Sequence, residues 1–228
     1  MQATMHRHLT TAGWVGDAQE ALGFDARDTP IVEAAAALFL ERSIAQVKMT
    51  DVAERSGVGV ATIYRHFATK TKLAIAAGTL MWTRFNRETS SFVETEGFLG
   101  MSGRERLEAL FAHYCDKYAA ERPFMRFLDE FDHLVVAENI APSDLECYGA
   151  AIDALSVVFL DAYELGRADG SIAREVDFEL YYRAFAHAFI CVAEKLARGR
   201  VIPSDSVDRD AEELACLVDG AMRSLVYA

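Results

Sequence analysis

Residues 50 to 67, TDVAERSGVGVATIYRHF, carry the most specific chemical signal in the sequence. Ala53, Gly57 and Ile63 stand four and six residues apart, and each residue type suits one mechanical task. An alanine lets two helices approach, a glycine takes the positive φ of a tight turn, and an isoleucine anchors a second helix to a core. Val52, Val58 and Phe67 complete the apolar side, which leaves Val60, Ala61, Thr62, Tyr64, Arg65 and His66 on the outer face and N-terminal end of the second helix. That end is what a helix-turn-helix presents to a DNA major groove. The same spacing also suits a plain helical hairpin that never meets DNA.

No other segment carries comparable chemistry. The sequence has no G-x-S-x-G, no H-E-x-x-H, no Walker lysine loop and no G-x-G-x-x-G following a strand. His113 with Asp116, and Glu130 with His133, repeat a spacing of three that a metal ion can use, but no second strong pair joins either. They read as solvated or hydrogen-bonded helix residues, so neither metal nor cofactor is expected. The aromatic surplus is more suggestive. Met81, Trp82, Phe85, Phe111, Tyr114, Phe127, Phe131, Tyr148 and Phe185 are suited to an apolar cavity with a few polar handles, although ordinary core packing accounts for each of them equally well.

The elements that must position these residues are helical throughout. Period-2 alternation is scarce and helical spacing recurs almost everywhere, which predicts an all-α protein. Thr29-Pro30 opens a first helix with Thr as its N-cap, and Ile31, Ala34, Ala35, Leu38 and Phe39 form its apolar face. Short helices follow at about 50–56 and 60–67, then a long one from Lys70 towards Val93. Beyond a Gly-rich break at 97–103, Ser102 and Glu105 make a capping box for a helix with Leu107, Leu110, Phe111, Tyr114 and Tyr118 on one face. Pro123 opens the next. A second capping box, Ser143 to Glu146, introduces a helix in which Leu145, Tyr148, Ile152, Leu155, Phe159, Ala162 and Gly166 step by alternating threes and fours, the spacing of left-handed helix packing. Asp177 caps a helix to about Arg198 that is apolar nearly all round, and a last helix follows Pro203.

Length and composition suit one large domain, or a small one fused to a larger: 228 residues, 52% apolar, 25% charged and only 4 Pro. No apolar run approaches the roughly 20 residues that span a bilayer, so a soluble, cytoplasmic chain is expected. Cys115, Cys147, Cys191 and Cys216 form no C-x-x-C pair and read as buried, reduced thiols. The net charge of -12 argues against a nucleic-acid partner until it is divided along the chain. Residues 1–26 carry -2, residues 27–75 carry +2, and residues 76–228 carry -12. A small module that tolerates polyanions is thus attached to a larger acidic body. The expected domains are a weakly ordered leader (1–26), which is not a secretory signal and alternatively serves as an arm touching DNA, a helix-turn-helix domain (27–75), and a helical body (76–228).

From Pro30 to Met81, with AAAALFLERS, MTDVAERSGV, TIYRHF and TKTKL, the sequence resembles the DNA-binding headpiece of TetR-family transcriptional regulators. The resemblance implies that Thr50, Thr62, Tyr64, His66 and Lys70 mainly hold phosphates, while Val60, Ala61 and Arg65 discriminate bases. Gly59 stands where the family usually places a capping Ser, and Ser43 where a Gly usually ends the first helix. Beyond the headpiece only the helix layout is similar, and it implies a regulatory domain with a small-molecule inducer, largely apolar or aromatic. The two C-terminal helices, about 177–198 and 208–226, are expected to form a homodimer interface. The function expected is that of a non-enzymatic, ligand-responsive repressor that binds double-stranded DNA at a two-fold operator. An architectural DNA-binding dimer without small-molecule input, and a helical enzyme or lipid-binding module, remain as alternatives.

Overall fold

The structure, a computed structural model, describes residues 22–199 and 209–225. Every regular element among the described residues is helical, as the sequence periodicity predicts. In chain order the α-helices are α1 (Thr29–Glu41), α2 (Met49–Ser56), α3 (Val60–Phe67), α4 (Lys70–Val93), α5 (Glu96–Leu99), α6 (Gly103–Ala120), α7 (Arg122–Ala137), α8 (Glu146–Asp169), α9 (Phe178–Ala197) and α10 (Asp210–Ser224).

Several helix ends follow the local chemistry of the sequence. The Ser102 N–H donates to Glu105 Oε2 at 2.8 Å, completing the expected capping box, and the Leu180 N–H donates to Asp177 Oδ1 at 3.2 Å. Two expected caps fall elsewhere. Thr29 lies inside α1, whose N-cap is Asp28, and Ser143 lies in a 3-10 turn (Pro142–Leu145), so that α8 begins only at Glu146 with Leu145 as its cap. The Gly-rich break is not all loop, since Thr95 caps the single turn of α5.

Helices α1 to α3 form a small headpiece, and α4 runs from it into the body without interruption. The boundary expected at residues 75 and 76 therefore lies within one continuous helix. In the body, α4 and α6 both pack on α8, α7 packs on α9, and α10 lies on α6. Two glycines set the closest crossing: a Cβ on Gly103 of α6 would stand 1.9 Å from the Gly166 nitrogen of α8. Gly78 gives α4 similar room beneath the Tyr148 and Phe127 rings.

The thiols depart from expectation. All four cysteines are free, and Cys115 is buried, but Cys147 is half-buried, and Cys191 and Cys216 are exposed. The last two lie on faces of α9 and α10 that no described element covers.

Candidate DNA-binding face and ligand cavity

The helix-turn-helix has the internal mechanics its spacing predicts. Gly57 ends α2 at φ 71°, ψ 13°, the left-handed conformation that a side chain resists. Ile63 is wholly buried, and Val52 and Phe67 are buried beside it. Gly59 caps α3 through its backbone alone. That leaves Ala61, Tyr64, Arg65 and His66 exposed and Val60 and Thr62 half-buried, while Thr50 is exposed at the start of α2.

Two of the expected phosphate ligands are engaged within the protein. The Lys70 ammonium donates to the carbonyls of Ile44 (2.8 Å), Ala45 (3.1 Å) and Val47 (3.2 Å), three acceptors left open by the loop between α1 and α2. His66 Nδ1 lies 2.7 Å from Asp28 Oδ1, and its Nε2 lies 3.3 Å from an Arg65 guanidinium nitrogen. A carboxylate can only accept, so Nδ1 carries a proton and donates it to Asp28. In the neutral ring, Nε2 then accepts from Arg65. Asp28, itself buried at the N-cap of α1, thereby steadies the one guanidinium on the exposed face of α3.

The headpiece is also fastened to α7. The Ile44 N–H donates to Glu130 Oε2, and the Thr71 hydroxyl donates to Glu138 Oε2, both at 2.6 Å. Glu130 thus accepts a backbone hydrogen bond, and no group of three or more His, Cys, Asp or Glu able to hold a metal occurs among the described residues. His113 is stacked on Phe92 at 4.4 Å, and burial lowers its pKa.

The body contains an aromatic cavity of about 120 Å³ between α4, α6, α8 and α9. Trp82 contributes from α4, Phe111, Tyr114 and Tyr118 from α6, Ile152, Leu155 and Phe159 from α8, and Tyr182, Phe189 and Ile190 from α9. The charged residues that border it, Asp153 and Arg183, and the His187 imidazole are all exposed. Burial pushes the hydroxyls of Tyr114, Tyr118 and Tyr182 above their ordinary pKa, so they stay protonated.

Of the nine residues expected to line a cavity, Trp82, Phe111 and Tyr114 do so. The others serve the core. Phe127 stacks between Phe39 and Phe131, Tyr148 covers Phe131 and Gly78, and Phe85 lies against Tyr118 with the Lys117 ammonium over its ring. Met81 is buried in the core, and the Phe185 ring lies tilted against Tyr181 at 5.0 Å. The lining residues missed on α8 were detectable as a face, because Ile152, Leu155 and Phe159 belong to its alternating three-four stripe. Which stripe would border a void was not readable, since this depends on how two helices cross.

Together, fold and site define a class: a helix-turn-helix reader of DNA joined through one long helix to a helical body with its own cavity. Comparison with known proteins agrees. Residues 31–77 match the family described as bacterial regulatory proteins, tetR family. The HTH-type transcriptional repressor KstR2 of Rhodococcus jostii (strain RHA1) is 26% identical over 210 residues, spanning 89% of this chain and 95% of that protein. Among solved structures, a TetR transcriptional regulator from Rhodococcus sp. RHA1 superposes with a TM-score of 0.58 at 20% identity, covering 89% and 98% of the two chains. FadR from Bacillus subtilis, solved in complex with stearoyl-CoA, gives 0.56 at 15%, covering 87% and 97%. Residues 31–77 thus match the DNA-binding region of tetR-family regulators, and the chain is similar over most of its length to a DNA-binding transcriptional repressor.

Proposed function

We propose that this regulator is a repressor that binds a two-fold operator as a homodimer and releases it when a small molecule enters the aromatic cavity. Its DNA-binding domain comprises residues 27–75, and residues 76–228 bind ligand and dimerise. The observation that carries this reading is the continuity of α4. One helix begins beside the exposed face of α3 and supplies Trp82 to the cavity wall, so a change at the cavity can reorient the headpiece. Ligand must bind the two orientations unequally for this to work.

In each headpiece, Val60, Ala61 and Arg65 meet base edges, and Thr50, Thr62 and Tyr64 hold phosphates. His66 acts through Arg65, and Lys70 acts by tying down the loop between α1 and α2. Two such headpieces enter successive major grooves about 34 to 36 Å apart. Dimerisation through α9 and α10 is supported by the outward face of α9, where Leu180 is 68% exposed and Ala184 and Cys191 are also open. The protein works in the cytoplasm, with the DNA it reads. No described helix is long and apolar enough to cross a membrane.

Fluorescence anisotropy with duplex DNA flanking the protein's own gene tests the reading. Log affinity should fall linearly with log salt, and Arg65→Ala should weaken specific binding more than non-specific binding. Failure of every such duplex to bind at low salt would refute it.

A further inference from the structure

We infer that the cavity takes an uncharged apolar group the size of a single ring, bearing a hydroxyl or carbonyl oxygen at its buried end that pairs with the Tyr114 hydroxyl. This rests on the regulator reading above and specifies its ligand class.

Size is the first constraint. A cavity of about 120 Å³ is well below the roughly 300–1,000 Å³ of sites that enclose drug-sized molecules. It is close to the roughly 150 Å³ apolar cavity known to admit benzene. A long acyl chain does not fit without remodelling the four helices.

Charge is the second constraint. Asp153, Arg183 and His187 are all exposed, and Arg183 is 3.0 Å from Glu179, so the charged groups belong to the mouth. The inner wall consists of rings and aliphatic side chains. An anion or an ammonium placed there would lose its hydration without gaining a counter-ion.

The third constraint is a hydrogen bond left unmade. Tyr114 is 5% exposed, yet its buried hydroxyl has no partner in hydrogen-bonding geometry, although Thr89 is close by. Tyr182 and Tyr118, whose hydroxyls act on it electrostatically, both line the same cavity. Buried hydroxyls are nearly always paired, so an unpaired one beside a void marks where a ligand oxygen belongs. A quaternary ammonium suits the aromatic rings through cation–π attraction but offers the hydroxyl neither donor nor acceptor.

Calorimetric titration of the full chain with 4-methylphenol, toluene and tetramethylammonium separates these chemistries. 4-Methylphenol should bind most tightly, toluene about tenfold more weakly for want of one hydrogen bond, and tetramethylammonium more weakly still. Tyr114→Phe should abolish the preference for 4-methylphenol over toluene and leave the melting temperature unchanged or raised, because it removes an unpaired buried hydroxyl. Equal binding of toluene to the unaltered protein, tighter binding of tetramethylammonium, binding of none of the three, or a preference that survives Tyr114→Phe would each overturn the inference. A parallel duplex titration keeps the two levels apart. If duplex binds and no probe does, the ligand class falls and the regulator reading stands; if no duplex binds, the regulator reading itself fails.

Discussion

Glu194 of α9 is a buried carboxyl with one oxygen unpartnered, and it faces Asp132 and Asp129 of α7. Burial, reinforced by those two carboxylates, raises its pKa from 4.5 to about 7, against the opposing pull of Arg198 and His133. Between those values the folded chain binds a proton that the unfolded chain has released, so stability should decline as pH rises from about 4.5 to about 7. Glu194→Gln should remove this part of the decline, worth about 2 kcal/mol across the window, as measured by urea unfolding at a series of pH values. An unchanged slope would mean that the group is solvated. The residue scale is also where sequence reading reached its limit at the DNA face. Residue type and spacing marked Arg65, His66 and Lys70 as donors. That His66 is bound to Asp28, and Lys70 to carbonyls more than 20 residues away, depends on distances that exist only after folding.

Beside the continuous α4, helix α7 is a second element that ties body to headpiece. It places Phe124 against Trp82 at 5.1 Å, Phe127 against Phe39 of α1, and the Glu130 carboxylate on the Ile44 N–H. A displacement at Trp82 therefore has a packed route to the loop that precedes α2. Glu130→Ala should leave the Ile44 N–H without its acceptor, speed hydrogen exchange at that amide by about tenfold, and cost about 1 kcal/mol of stability. If exchange at Ile44 stays as slow as in the unaltered protein, Glu130 does not hold the loop. The α6–α8 crossing is a second element-scale feature. Gly103→Ala should force those helices apart, lowering stability by about 1–3 kcal/mol in thermal unfolding and more than the same change at Gly149, which meets nothing within 4 Å. Helix periods and most caps were legible because they are local. At Thr29 the adjacent Asp28 takes the cap position, and at Ser143 the chain first makes a 3-10 turn, so that Leu145 precedes the helix; residue type alone does not separate these starts from the expected ones.

At the scale of the molecule, the net charge of -12 becomes a constraint on where DNA can sit. The acidic body repels phosphates and the headpiece, with +2, accepts them, so affinity must draw on hydroxyls and backbone groups as well as on charge, and on two headpieces acting together in the proposed dimer. The salt dependence of binding should accordingly be shallower than that of a strongly basic DNA reader. Leu180→Glu should place a charge on the open face of α9, convert the dimer to monomer in sedimentation velocity, and weaken operator binding at least tenfold. A dimer that persists with full affinity would put the interface elsewhere.

Sequence alone determined the all-helical class, the helix-turn-helix with Gly57 at its turn, and the separation of charge between headpiece and body. Each of these depends on residue type, on spacing of a few positions, or on simple sums along the chain. Tertiary structure decided which donors remain free, which three of nine expected residues face the cavity, and which hydroxyl is left unpaired within it. Those outcomes depend on how helices distant in sequence cross, as at Gly103 and Gly166, and periodicity within one helix carries no record of the angle at which another meets it.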